Sequence, residues 1–193
     1  MTTLPSWRAS NPDGFADVVV TAAQQLGVRP LAVEKDYWAC EALRAITVAH
    51  TGEVVFKGGT SLEKLRIIRR FSEDLDLLVI GGHGSNRAAE RALKSMIAAA
   101  ADATGGQASG GHSGGRPGSF HRSAYLAPPL AYSAEPSAIA DAGTILVELG
   151  QSGGPNPHRA RQVTSLLSRQ LADAGFDTSA WGDLTSFDVA VLH

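Results

Sequence analysis

The 193-residue chain predicts an α/β (α+β) domain, a mixed β-sheet with helices packed on one face and a cleft at the other. Three observations lead there. Hydrophobic residues make up 44% of the chain, enough to bury one substantial core, so a single domain over residues 1–193 is expected. Short apolar runs at 54–56, 74–80, 119–126 and 144–149 alternate with segments whose apolar residues recur at i, i+3 and i+4. The stretch Glu53 to Ile80, EVVFKGGTSLEKLRIIRRFSEDLDLLVI, joins a strand, a Gly-Gly turn, a helix and a second strand in one short unit.

Taken in order, residues 1–13 hold two prolines and Trp7 and read as a loose lead-in. Phe15, Val18, Val19, Ala22, Ala23 and Leu26 then trace one face of a helix that Gly27 caps. A second helix follows Pro30, with Trp38, Ala42, Leu43 and Ile46 as its stripe. Glu34, Lys35 and Asp36 near its start suit a charged first turn. Beyond the central unit, Ser85 caps a third helix carrying Leu93, Met96, Ile97 and Ala100. Between Gly105 and Gly118 seven of fourteen residues are glycine, so that segment loses much entropy on ordering and is expected to be a flexible loop. Strands follow at 119–126, 130–133 and 144–149. A helix is expected after Pro157, with Val163, Leu166, Leu167 and Leu171 inward and Arg159, Arg161 and Arg169 outward. Phe187, Val189 and Val191 alternate in a last strand.

Composition narrows the classes. Cys40 is the only cysteine, which excludes an internal disulfide and a cysteine-rich zinc site and fits a reducing compartment, by default the cytoplasm. No apolar run reaches the length of a membrane span, and no apolar leader follows a basic N-terminus. The net charge of −2 offers no global attraction to nucleic acid, yet Lys57, Lys64, Arg66, Arg69 and Arg70 crowd around the central unit.

That unit carries the chemistry. Gly58 and Gly59 let the chain turn sharply and bring backbone N–H groups near a ligand at a helix N-terminus opened by Thr60 or Ser61, a place for a phosphate. Side chains alternate along a strand, so Asp74 and Asp76 share one face while Leu75, Leu77 and Val79 share the other. Two adjacent carboxylates repel unless a cation lies between them, and oxygen donors suit Mg²⁺ with substrate phosphates. The simplest reading is a metal and nucleotide site. Lys64, three residues beyond Ser61 on the same helix side, and Lys57 are candidates to neutralise leaving-group charge. Arg70 serves there equally well as a structural partner of Asp74 or Glu73. Glu148 is an acid on an otherwise apolar strand, by residue type alone an edge or strand-end residue. The turn lacks the Gly-Lys-[Ser/Thr] ending of a P-loop, no Gly-x-Ser-x-Gly elbow occurs, and the six histidines lack metal-ligand spacing. His83 and His112 are expected to meet only solvent.

Phe56-Lys57-Gly58-Gly59-Thr60-Ser61-Leu62, followed by Arg70-Phe71-Ser72-Glu73-Asp74-Leu75-Asp76-Leu77, resembles the nucleotidyltransferase toxins of the AbiEii/AbiGii group of type IV toxin–antitoxin systems. Glu34-Lys35-Asp36-Tyr37 is similar to that family's N-terminal signature, which would place Lys35 or Asp36 at the cleft. The resemblance implies a nucleotidyltransferase-like fold in which Asp74 and Asp76 hold Mg²⁺ and Glu148 is a third carboxylate. It further implies that Lys57, Gly58, Gly59, Thr60, Ser61 and Ser72 line the nucleotide site. An NTP as substrate, tRNA or another RNA end as acceptor and a cognate antitoxin as partner follow from it. So does a C-terminal helical part, with a lysine and a further acidic residue, that has no counterpart in these residues. Two alternatives remain: transfer to a protein or a small molecule such as an antibiotic, and a non-catalytic remnant that binds nucleotide or antitoxin.

Overall fold

In the computed structural model, which describes residues 4–68, 72, 74–81, 83–116, 119–132, 143–151 and 156–192, helices and strands separate into two layers. The helices are α1 (Trp7–Ser10), α2 (Pro12–Leu26), α3 (Pro30–Ala49), α4 (Gly58–Lys64), α5 (Asn86–Thr104) and α6 (Leu166–Asp173). The strands are β1 (Val54–Lys57), β2 (Leu75–Val79), β3 (Gln107–Ser109), β4 (Ser113–Arg116), β5 (Ser119–Ala127), β6 (Ile145–Gln151), β7 (His158–Val163) and β8 (Phe187–Leu192). They form one mixed sheet in the order β3-β5-β6-β2-β1-β8-β7, with β4 also paired to β5. β1 and β2 run antiparallel, whereas β2 with β6 and β1 with β8 run parallel.

The helix layer covers one face. α3 packs against α2, α5 and α6, and α5 lies along β5. The inward residues of alternate strand positions, Phe56, Leu75, Leu77, Val79, Ile145, Val147 and Leu149, meet Leu43, Ile46 and Met96 in the core. Full burial of each large apolar side chain stabilises the fold by roughly 1.5–3 kcal/mol. Helix ends follow their local chemistry: Asn11 caps α2, Ser85 accepts from the Ala88 N–H to cap α5, and Gly27 ends α2 in the left-handed region.

Four expectations are corrected. The lead-in is tied down: Trp7 is buried, and its N–H and that of Arg8 donate to Asp183. The glycine-rich segment expected as an open loop forms β3 and β4, which share the free edge of β5, because backbone pairing needs no side-chain pattern. The helix expected from Pro157 starts only at Leu166. His-Arg-Ala-Arg-Gln-Val before it is β7, an edge strand paired antiparallel with β8. No strand forms at 130–132, where the Ala131 and Tyr132 N–H groups donate to the buried Glu34 carboxylate, and residue 133 lies outside the described residues. Arg70, Glu73 and Pro155 also lie outside them.

Candidate active site

The register of the central strands assembles the site. Lys57 on β1 pairs with Asp76 on β2, Asp76 with Glu148 on β6, and Glu148 with Ser123 on β5. Cross-strand partners share a face. Lys57, Asp76, Glu148 and Ser123 therefore form one row on the face that the helices leave uncovered. Asp74 stands just before β2, two residues from Asp76 and on the same side. Asp74 and Glu148 are exposed and Asp76 is half-buried. Lys57 Nζ lies 3.2 Å from Asp76 Oδ1, with both side chains about one-third accessible. A cavity of about 460 Å³ opens over this row, lined by Lys57, Asp76, Glu148 and Ser123 of the row and by His112, His121 and Arg122 beside it.

The turn between β1 and α4 is shaped to fit the carboxylates. Gly58 has φ +78, and a Cβ there would fall on the Asp76 carboxylate and 2.9 Å from Asp76 Cβ. Only glycine combines that backbone with that proximity. A Cβ on Gly59 would stand 3.2 Å from Ser72 Oγ. The Thr60 hydroxyl donates to the Asp74 carbonyl at 2.5 Å and lies 3.0 Å from Ser72 Oγ, and Ser61 Oγ donates to the Gly58 carbonyl at 2.8 Å. Thr60, Ser61 and Ser72 thus brace the turn against the start of β2.

Lys64 stands elsewhere than the sequence reading placed it. Its side chain is 1% exposed, its ammonium pairs with Asp36 and lies 3.4 Å from Glu63 Oε2. Burial alone would push its pKa down, but the surrounding groups, Asp36 first and Cys40 and Glu63 with it, together outweigh burial and hold it above the ordinary lysine range. Asp36 also accepts the Leu166 N–H at the start of α6, at 2.6 Å, and Arg169 of α6 donates to Glu63 at 2.9 Å. This buried cluster fastens α4 to α3 and α6. Spacing put Lys64 on the side of Ser61, and that side faces the helix layer.

The Glu34-Lys35-Asp36-Tyr37 motif is likewise a tie. All four residues are buried. The Tyr37 hydroxyl donates to Asp183 at 2.8 Å, and although burial pushes the other way, the hydrogen bonds from Trp7, Arg8, Ser6 and Tyr37 hold the Asp183 carboxyl below its usual range.

Sequence reasoning missed His121 and Ser123 and left His112 to solvent, although it lines the cavity. They sit in and beside the glycine-rich segment, which carries no periodic signal. The backbone register that brings Ser123 opposite Glu148 was their only pointer.

The family model for the nucleotidyl transferase AbiEii toxin of type IV toxin–antitoxin systems matches residues 41–192. The chain belongs to this family. The matched residues contain Lys57, Gly58, Asp74, Asp76 and Glu148 and begin after the Glu34-Lys35-Asp36-Tyr37 motif. Membership in the AbiEii family implies a cognate antitoxin. No curated protein matches the chain. Among the described residues no helix is long and apolar enough to cross a membrane.

Among the described residues no three His, Cys, Asp or Glu side chains converge into a ready metal cage. The donor set nevertheless has the right chemistry: the Asp74, Asp76 and Glu148 carboxylates, on and beside the neighbouring strands β2 and β6, offer accessible oxygens as a hard divalent cation that keeps some of its waters requires.

Proposed function

We propose that this chain transfers a nucleotide from an NTP to an RNA acceptor, with tRNA the first candidate, in a Mg²⁺-dependent reaction. The observation that carries this reading is the row Lys57, Asp76, Glu148 and Ser123 on the open face of the sheet, with Gly58 folded against the Asp76 carboxylate. Asp74 and Asp76 would hold the metal, with Glu148 completing the oxygen donors. When bound, such ions stabilise the attacking and leaving oxygens of an in-line displacement at phosphorus.

The chain's own groups supply the rest. Gly58, lacking a side chain, lets the turn close on the Asp76 carboxylate, so that backbone borders the place where phosphate oxygens would lie. Lys57, already beside Asp76, would offset the charge that grows on the departing pyrophosphate. Glu148 would accept the proton of the attacking hydroxyl as the new oxygen–phosphorus bond forms and the bond to pyrophosphate breaks. Lys64, committed to Asp36, supports α4 from beneath.

The test is pyrophosphate release from each of the four NTPs with total tRNA and Mg²⁺, for the chain and for Asp74→Ala/Asp76→Ala. Release that depends on tRNA and disappears in the double variant is expected. Release that persists in the double variant, or none with any NTP, removes the reading.

A further inference from the structure

Beside the acidic row runs a second row of different character. Two residues further along the strands, about 6.6 Å away, Gly114 on β4 pairs with His121 on β5, and His121 with Gly150 on β6. Gly150 in turn pairs with Leu78 on β2. Both flanks of His121 are therefore without side chains. A Cβ on Gly114 would stand 3.4 Å from His121 Cε1, which places the imidazole beside that glycine. Among the described residues, no atom lies within 4 Å of where a Cβ on Gly150 would be. Leu78, 9% exposed, closes the row. His121 and Gly150 border the same 460 Å³ cavity as Asp76 and Glu148.

An exposed aromatic ring bounded by bare backbone, one pleat away from the carboxylates, is a surface for a planar ring and not for a phosphate. We propose that His121 and Gly150 form a stacking shelf for a nucleobase, the base of a nucleotide whose phosphate lies at the Asp76 and Glu148 row. The shelf deepens the transferase reading and rests on it for the position of the phosphate. Imidazole faces stack on any base, and glycine lets the base lie against the strand. The base can come from the incoming NTP or from the end of the RNA acceptor, and the shelf selects for an unpaired base in either case.

The experiment reads binding without turnover, using the fluorescence of 2-aminopurine riboside triphosphate and of a short RNA ending in 2-aminopurine, with ribose 5-triphosphate as a competitor that lacks a base. His121→Ala removes the ring, His121→Tyr keeps a stacking face, and Gly150→Phe fills the shelf at a position where the fold has room. Base stacking of this kind is worth about tenfold in affinity. The expected result is that His121→Ala and Gly150→Phe weaken one 2-aminopurine probe about tenfold, His121→Tyr stays within about threefold of the parent, and ribose 5-triphosphate binds all four proteins alike. Loss confined to the triphosphate assigns the shelf to the incoming nucleotide, and loss confined to the oligonucleotide assigns it to the acceptor. Unchanged affinity for both probes, equal weakening of ribose 5-triphosphate, or no binding of either probe to the parent overturns the shelf. Base-dependent binding without pyrophosphate release leaves the shelf standing and removes the transferase. Pyrophosphate release that ignores His121→Ala and Gly150→Phe does the reverse.

Discussion

Two groups of charged residues lie on either side of α4, and they are treated in opposite ways. On the open face, Asp74 and Glu148 are exposed and Asp76 pairs with a one-third accessible lysine. Beneath the helix, Asp36, Lys64, Glu63 and Arg169 are enclosed and joined in a continuous set of ion pairs. Both groups come from motif-like stretches of the sequence. Burial decides what each does: an enclosed charge must be paired to be tolerated and so is spent on structure, whereas an accessible carboxylate keeps lone pairs for a ligand.

The contrast is broken most severely from the buried side. Asp36→Ala leaves the Lys64 ammonium enclosed without its principal partner and is expected to cost about 3–5 kcal/mol of stability in urea unfolding. Asp36→Ala/Lys64→Ala should cost less than the sum of the single changes, since the second removes the orphaned charge. On the open face the signature reverses. Asp76→Asn should lower pyrophosphate release by about 10²–10³-fold while shifting unfolding by no more than about 0.5 kcal/mol. If Asp76→Asn instead unfolded the protein, the distinction between the two groups would fail.

Gly58→Ala tests the link between the turn and the row. The left-handed backbone costs a Cβ about 1–2 kcal/mol, and the methyl group must also displace the Asp76 carboxylate. Activity should fall further than Gly59→Ala makes it fall, because the Gly59 position meets only the Ser72 hydroxyl.

The smallest effect concerns Glu41 on α3, which lies 3.0 Å from Arg44 with 16% of its side chain exposed. Burial pushes its carboxyl up from 4.5 to about 7, although Arg44 opposes this. The folded state then holds a proton that the unfolded chain has released, so stability falls as pH rises from 4.5 through about 7. Glu41→Gln removes that decline and should gain about 1 kcal/mol on the parent at pH 8 relative to pH 5, read by thermal unfolding at both values.

Much of the central unit was legible because its chemistry is local. Period-two alternation placed Asp74 and Asp76 together and glycine marked the turn, whereas residue type alone read Glu148 as an edge or strand-end residue and only the family resemblance made it a third carboxylate; it stands on β6, between β2 and β5. What was not legible depends on partners distant in sequence. Lys64 has a helical face that spacing reveals, but only packing shows that this face meets Asp36 on α3. Glycine-rich chain reads as loop because an edge strand such as β4 is held by backbone groups that every residue has, and so His112 was left to solvent and His121 was given no role. The Pro-Asn-Pro start suggested a helix at 157, and His-Arg-Ala-Arg-Gln-Val carries no apolar alternation to contradict it; pairing with β8, distant in sequence, makes it a strand.

The central claim is that the accessible carboxylates across β2 and β6 perform the chemistry, and Glu148→Gln tests it most directly. Glutamine preserves shape and removes the charge at an exposed position. Measured with Mg²⁺, tRNA and the preferred NTP, pyrophosphate release should fall by about 10²-fold or more with an unchanged thermal midpoint. Release at the parent rate would contradict the account, since the register that sets Glu148 beside Asp76 would then have no part in the reaction.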